Sequence, residues 1–409
     1  MKRVIKFVIP ILVAFVVASC CSSNKQAKYV FYFIGDGMGF SHIAVTEGYK
    51  SILNGEKKSE PLLFTQFPVM GMATSYSASN IITCSSAAGT ALSTGFKTNN
   101  GMLGVTPDSS SLEAISYKIH KAGYQVGKMS SVTIDHATPG AFYANSVKRS
   151  DYYGIAKQLC ESNFEFFGGG GYQGATQSIN KKFPLDSITT AAGYNIAYGL
   201  KDFNNLKSTS EKLVLFQPQP RTDNILPPVL ERNDSSLTLP QVVEAAVEFL
   251  NSKDGFFIMA EGGQIDWSAH SNDVAGTIME VLDFDAAIEV AYKFYQQHPE
   301  ETLIVVTADH ETGGISLGRN KGYVSHFDKV KEYVDGVQKK NSDVSVDNYM
   351  EQMPVDSLSK ASLIGWTTTS HTGGAVPVFA IGAGSEQFAG RQDNTDIPKK
   401  ICKAMGVEF

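Results

Sequence analysis

Four short apolar runs stand out along the chain: Val30 to Ile34, Phe256 to Ala260, Leu303 to Thr307 and Val376 to Ile381. Each is followed by a polar or glycine-containing turn, the pattern of parallel strands buried on both faces. Between them lie helix-length segments at 112–122, 239–250 and 275–295, the last with apolar residues spaced three and four apart. Such alternation predicts βαβ units and an α/β fold with a mostly parallel sheet. The stretch 316–362 has few strand signals and is rich in Lys, Asp and Ser, so it reads as an insertion over the sheet edge or the mouth of a site. No internal repeat is visible.

The first nineteen residues follow a different pattern. Lys2, Arg3 and Lys6 precede an apolar run from Val8 to Val17 that Pro10 interrupts. The run is shorter than the ~20 residues a membrane-spanning helix needs and ends in small residues, as a signal peptide does. Val17-Ala18-Ser19-Cys20 resembles a bacterial lipobox, which implies cleavage before Cys20, acylation of that cysteine and an anchor in the cell envelope or periplasm. Residues 20–28 then read as a polar tether and 29–409 as a single domain.

With 43% hydrophobic and 19% charged residues the chain has globular composition. A net charge of -6 with scattered Lys and Arg excludes a general nucleic-acid binder. Any anion site on such a chain needs its own local positive charge, from metal ions or a placed arginine. Cys21, Cys84, Cys160 and Cys402 are too few and too scattered for a disulfide framework or a thiolate zinc cluster.

Ligands of open α/β sheets bind beyond the carboxyl ends of the strands. Val30 to Ile34 runs into Gly35-Asp36-Gly37, Phe256 to Ala260 into Glu261-Gly262-Gly263-Gln264-Ile265-Asp266, and Leu303 to Thr307 into Ala308-Asp309-His310. Ser370-His371-Thr372-Gly373 lies instead just before the run at Val376. Any one of these is usually a turn or a cap, so the weight rests on their joint occurrence. Asp266 and His270, four apart, share a helical face and can grip one ion. Carboxylate and imidazole donors without thiolate suit a catalytic zinc. In Thr83-Cys84-Ser85-Ser86-Ala87-Ala88-Gly89 a polar step precedes small residues able to form a close-packed helix, with Ser85 at the N-terminus where anions are favoured. For an isolated serine, a plain N-cap is the ordinary reading.

Taken together and in order, these segments resemble the motifs of the alkaline phosphatase family from about Tyr29 to the end. The resemblance implies a three-layer α/β/α sandwich, hydrolysis of small-molecule phosphate monoesters through a phosphorylated Ser85, and a centre of two zinc ions and one magnesium. It gives Asp266, His270 and His371 to the first zinc and Asp36, Asp309 and His310 to the second, with Ser85 as a further ligand. Thr138 and Glu261 join Asp36 around magnesium, whose preference for oxygen donors agrees. Arg149 resembles the arginine that holds two phosphate oxygens, for which a guanidinium fork is suited. His136 and Trp267 stand near the substrate where the best-known bacterial pattern has Asp and Lys, and Cys84 stands where an Asp usually precedes the nucleophile. Cys84 puts the positioning of Arg149 in question. His42, His120, His298 and His326 match no motif and read as surface or packing residues. Many relatives are dimers, so a homodimer is open.

Two other activities compete. A phosphodiesterase or sulfatase would share the metal motifs, but Arg149 occupies the place of a second ester group and no Cys-x-Pro-x-Arg context is present. A metal-storing lipoprotein would need neither Ser85 nor Arg149.

Overall fold

The computed structural model describes residues 26–55, 58–219, 221–251, 254–320, 322–342 and 355–409. The signal segment 1–19, Cys20 and Cys21 lie outside the described residues. Residues 26–28, which the sequence gives to the tether, already dock on the domain: Ala27 is buried and donates its N–H to Ala404 O at 2.8 Å.

Ten strands form one sheet: β1 (Tyr29–Gly35), β2 (Val69–Thr74), β3 (Gln125–Ser130), β4 (Phe166–Gly169), β5 (Asn195–Tyr198), β6 (Leu213–Phe216), β7 (Phe256–Gly262), β8 (Thr302–Thr307), β9 (Val376–Gly382) and β10 (Gly390–Asp393). Their spatial order is β10-β2-β9-β8-β1-β7-β3-β4-β6-β5. The central strands are buried along their whole length because helices cover both faces. Tyr32 meets Phe142 on one face and its neighbour Phe33 meets Phe284 on the other, each with ring centroids 5.9 Å apart, as alternating strand side chains require.

One strand departs from the expectation. The run at Val376 forms β9 as expected, but β9 pairs antiparallel with both β8 and β2, while every other pairing in the sheet is parallel. Val378 pairs with Thr307 and Gly382 with Leu303, so β9 begins beside the carboxyl end of β8 and runs back toward its amino end. The amino end of β9 therefore lies at the edge where the parallel strands end. This explains why His371 precedes its strand while the other candidate residues follow theirs.

The helix expected at 239–250 spans Leu239–Leu250, opened by a Thr238–Gln241 capping box, and that expected at 275–295 spans Val274–Gln297. The segment 112–122 turns helical only at Ile115, because Leu112 is held extended by donating its N–H to Gly104 O. Within 316–362, Ser316–Leu317 pairs with Ile364–Gly365, and two helices, Phe327–Ser342 and Val355–Ala361, follow. Phe327, Val330 and Leu358 from this segment join Val45, Tyr49, Val274 and Ile278 in a second apolar cluster, separate from the core of the sheet. The segment thus packs on the helices Phe40–Leu53 and Val274–Gln297.

Candidate active site

The ends of β1, β7 and β8 are adjacent in the sheet, so the turns that follow them converge. After β1 the chain must turn within two residues. Gly37 does so at φ +74°, and a side chain there would lie 2.9 Å from Asp266 Oδ1, so glycine is required for both conformation and space. After β7, Gly262 and Gly263 bring the helix Gln264–His270 down at once; a Cβ on Gly263 would press on Val132 at 2.7 Å.

Three clusters of donors result, each with its ligand atoms within 4.8 Å of one another: Asp266, His270 and His371; Asp36, Asp309 and His310; and Asp36, His136 and Glu261. In the first, His270 Nε2 lies 3.3 Å from Asp266 Oδ2 and 3.1 Å from His371 Nε2. Both rings direct Nδ1 at a backbone carbonyl, His270 at Thr369 O (2.7 Å) and His371 at Thr83 O (2.9 Å). An Nδ1–H donated outward leaves the Nε2 lone pair facing inward, the tautomer of a metal-ligating histidine. In the second cluster, His310 Nε2 stands 3.3 Å from Asp36 Oδ1, 3.2 Å from Asp309 Oδ2 and 3.2 Å from Ser85 Oγ. Asp309 Oδ1 accepts N–H bonds from Gly37 and His310, which fixes the carboxylate and turns Oδ2 into the site.

Electrostatics separate this edge from an ordinary polar pocket. Both oxygens of Asp36, Asp309 Oδ2, Glu261 Oε1 and the hydroxyl of Thr138 are buried without a hydrogen-bond partner among the described residues, an arrangement that costs free energy unless something cationic fills it. Burial, with the neighbouring carboxylates, raises Asp309 to about 8 and Asp36 well above the usual carboxylate range. Glu261 is raised to about 7, again chiefly by burial, although its Oε2 accepts from the Ser130 hydroxyl. Burial would raise Asp266 too, but the His270 hydrogen bond and the charge of His310 hold it below its ordinary value. Orphaned carboxylate oxygens converging with outward-tethered imidazoles fit cations, and at the third position the oxygens of Asp36, Glu261 and Thr138 fit a hard ion.

Ser85 opens the helix Ser85–Thr94 as its first residue, while Cys84 takes the cap position and makes no capping bond with its side chain. The plain N-cap reading therefore fails for Ser85, whose buried hydroxyl meets His310 instead. Arg149 reaches the same edge with Nη2 3.5 Å from His136 Nε2. Its backbone N–H donates to Gly101 O at 2.8 Å, and Gly101 N in turn donates to Cys84 Sγ at 3.2 Å. At Cys84, where the Arg149 positioning was in question, these two bonds through Gly101 link the Arg149 loop to the segment that precedes Ser85. Trp267 stands edge-on to His136 with ring centroids 5.8 Å apart, and Tyr152 stacks on the same ring with centroids 6.2 Å apart.

Sequence reading missed Thr312, whose hydroxyl donates to Asp266 Oδ1 and lies 3.2 Å from His310 Nδ1, tying the two clusters together. Its signal was its place two residues after His310. His42, read as a surface or packing residue, is fully buried behind the β1 turn, where its Nδ1 accepts from Gly39 N at 3.1 Å. His120 pairs with Glu165 and His298 stacks near Tyr29 and Phe294, away from the site.

The family model described as alkaline phosphatase matches residues 27–183 and 199–407. The chain is 31% identical to alkaline phosphatase 3 of Bacillus subtilis, over 94% of this chain and 90% of that one. It is 27% identical to the alkaline phosphatase of Escherichia coli over 94% of this chain and 88% of that one. Among solved structures it resembles alkaline phosphatase from the Antarctic bacterium TAB5 at 30% identity and TM-score 0.74, covering 94% of this chain and 99% of that one. A TAB5 variant with a histidine exchanged for aspartate carries Mg in a site called M3. A cold-active alkaline phosphatase from Shewanella gives TM-score 0.79 at 30% identity, covering 92% and 99% of the two chains. With a mostly parallel sheet, converging donors at its carboxyl edge and these relatives spanning nearly its whole length, the chain belongs to the alkaline phosphatase family, metal-dependent hydrolases of phosphoric monoesters.

Proposed function

We propose that the chain cleaves phosphate monoesters through a phosphoserine at Ser85, at a centre of two zinc ions and one magnesium. The carrying observation is the Ser85 hydroxyl, buried at a helix N-terminus 3.2 Å from His310 Nε2, whose ring in turn meets carboxylate oxygens that have no hydrogen-bond partner among the described residues. Asp266, His270 and His371 would hold one zinc and Asp36, Asp309 and His310 the other, with Ser85 as a further ligand; Asp36, Thr138 and Glu261 would hold magnesium. When bound, the ions supply positive charge that keeps these carboxylates ionised, favours the Ser85 alkoxide and offsets charge on the departing alcohol oxygen. His136 adds an imidazole to the third position, a donor less suited to magnesium than the carboxylate carried by the TAB5 variant.

Ser85 Oγ forms a bond to phosphorus as the ester P–O bond breaks, and the proton that Ser85 gives up passes through water to the departing alcohol. A water then attacks the phosphoserine, the Oγ–P bond breaks, and phosphate departs with Ser85 restored. Arg149 holds two non-bridging oxygens in both steps, and the N-terminal dipole of Ser85–Thr94 stabilises their charge. An arginine filling that face disfavours diesters, whose second ester group needs the same space.

The test is Ser85→Ala. Turnover of a chromogenic phosphate monoester should fall by about a thousandfold or more, while bound zinc and magnesium, counted by mass spectrometry, persist. Retained turnover with full metal content would exclude the phosphoserine route.

A further inference from the structure

Ile81 is 84% and Ile82 46% exposed, yet neither sits on a loose loop. Ser77 and Asn80 close a turn before them, Ser77 N donating to Asn80 O at 2.9 Å and Asn80 N to Ser77 Oγ at 3.0 Å. Asn100 then clamps the strap from the side, with Nδ2 donating to Ile82 O at 3.0 Å and Oδ1 accepting from Cys84 N at 3.1 Å. The next residue, Gly101, accepts the Arg149 N–H. Between the isoleucines and Ser85, the Thr83 carbonyl fixes the His371 ring. A side chain at Gly373, two residues beyond His371, would meet Ile81 Cγ2 at 3.7 Å and Ile82 Cγ1 at 3.8 Å, so both isoleucines stand over that glycine.

The nucleophile, the arginine, a metal-ligand candidate and two exposed isoleucines are thus one hydrogen-bonded unit. Holding large apolar side chains in water on a pinned strap has a cost that a contact partner would remove. Ser85 and the metal-ligand candidates Asp36, Asp309 and His310 are buried, whereas the isoleucines just before Ser85 are exposed, so an ester held at Ser85 that extends its alcohol toward solvent along this segment meets them.

We propose that Ile81 and Ile82 form an apolar ledge for the alcohol portion of the substrate, so that the enzyme favours phosphate monoesters of apolar alcohols over small or polar ones. The inference rests on the phosphomonoesterase reading. It follows from continuity: the ledge ends three residues before Ser85 and is tied to both Arg149 and His371. Contacts made equally in ground and transition state lower KM and leave kcat alone.

The experiment compares ethyl phosphate with n-hexyl phosphate, whose leaving groups have nearly the same basicity and differ by four methylenes. For the metal-loaded protein, kcat/KM should be about tenfold higher for the hexyl ester, through KM, as expected for methylenes resting on a half-open apolar surface. In Ile81→Ser/Ile82→Ser the ratio should approach one, and Ile81→Leu/Ile82→Leu should restore it, which separates lost contact from lost fold. A wild-type ratio near one overturns the ledge while leaving the phosphomonoesterase reading intact, and no turnover of either ester overturns both. If the serine variant instead converts a dimer to a monomer in light scattering with the ratio unchanged, the ledge is a surface between copies and the substrate role is wrong.

Discussion

Two regions of one sheet bury ionisable atoms that have no hydrogen-bond partner among the described residues, and they differ in what surrounds them. At the carboxyl edge, Asp36, Asp309 and Glu261 point unpaired oxygens at a common space that His136, His310 and Ser85 also enter. In the middle of β3, Lys128 is buried as deeply, and its Nζ also lacks a hydrogen-bond partner among the described residues, but the groups around it are rings: Phe257 at 4.0 Å, Phe142 at 4.9 Å and Phe164 at 5.9 Å. The first region is a set of like charges that an external cation can satisfy. The second offers nothing to a ligand. Burial without a partner therefore points to a site only where several orphaned groups converge.

The comparison breaks most completely if metal removal has no effect. Chelation should abolish turnover, and calorimetry of the metal-free protein should show a melting temperature that falls as pH rises. The sign follows from the raised carboxylates: a group with a folded pKa above its unfolded value of about 4 contributes stability below pH 4 that is lost as pH climbs through the folded value. For Glu261 and Asp309 that window runs to about pH 7 and 8. Zinc and magnesium should restore both activity and alkaline stability. A metal-free protein as stable at pH 9 as at pH 5 would show that the cluster is not under electrostatic stress.

A smaller effect sharpens the same point. Asp309→Asn keeps an oxygen for the Gly37 and His310 N–H groups and puts an amide nitrogen where Oδ2 stands, 3.2 Å from His310 Nε2, able to donate to it. The variant should lose about a hundredfold or more in kcat/KM yet melt higher than the parent when both are metal-free at pH 8 to 9. Lower stability in that comparison would mean that the carboxylate serves the fold rather than the cation.

What the sequence revealed of this contrast was uneven. The β1, β7 and β8 runs and the residues after them were legible because burial on both faces forces continuous apolar stretches and the turns after them carry Gly, Asp and His. The direction of β9 was not, since Val376 to Ile381 is as apolar as the parallel runs and direction depends on the path of residues 308–375. Thr312, the Asn100 clamp and the Gly101 tie to Arg149 escaped for a related reason: their partners lie far along the chain and only the fold brings them near. Lys128 gave no signal at all, as a lysine beside Gln125 and Ser130 in one short strand reads like part of its solvent side until helices are known to cover both faces.

The smallest expected effect falls on that lysine. Burial lowers the Lys128 amine well below its ordinary value, so the attraction of the three ring faces, about 2 kcal/mol or more for a desolvated cation, does not offset the larger cost of isolating an ammonium from water. A lysine with a depressed folded pKa penalises the fold fully below that pKa, and the penalty fades as pH approaches the unfolded value of about 10.4. Lys128→Met, close in length and free of charge, should therefore stabilise the protein by ~1 kcal/mol or more, roughly 2 °C in melting temperature for a chain of this size. The gain should be largest near pH 6 and shrink toward pH 10, with kcat/KM unchanged, because no chemistry at the carboxyl edge depends on β3 at that position. A destabilised variant, or one with altered turnover, would mean that the ringed amine is used after all and that converging orphans are not the only mark of function in this sheet.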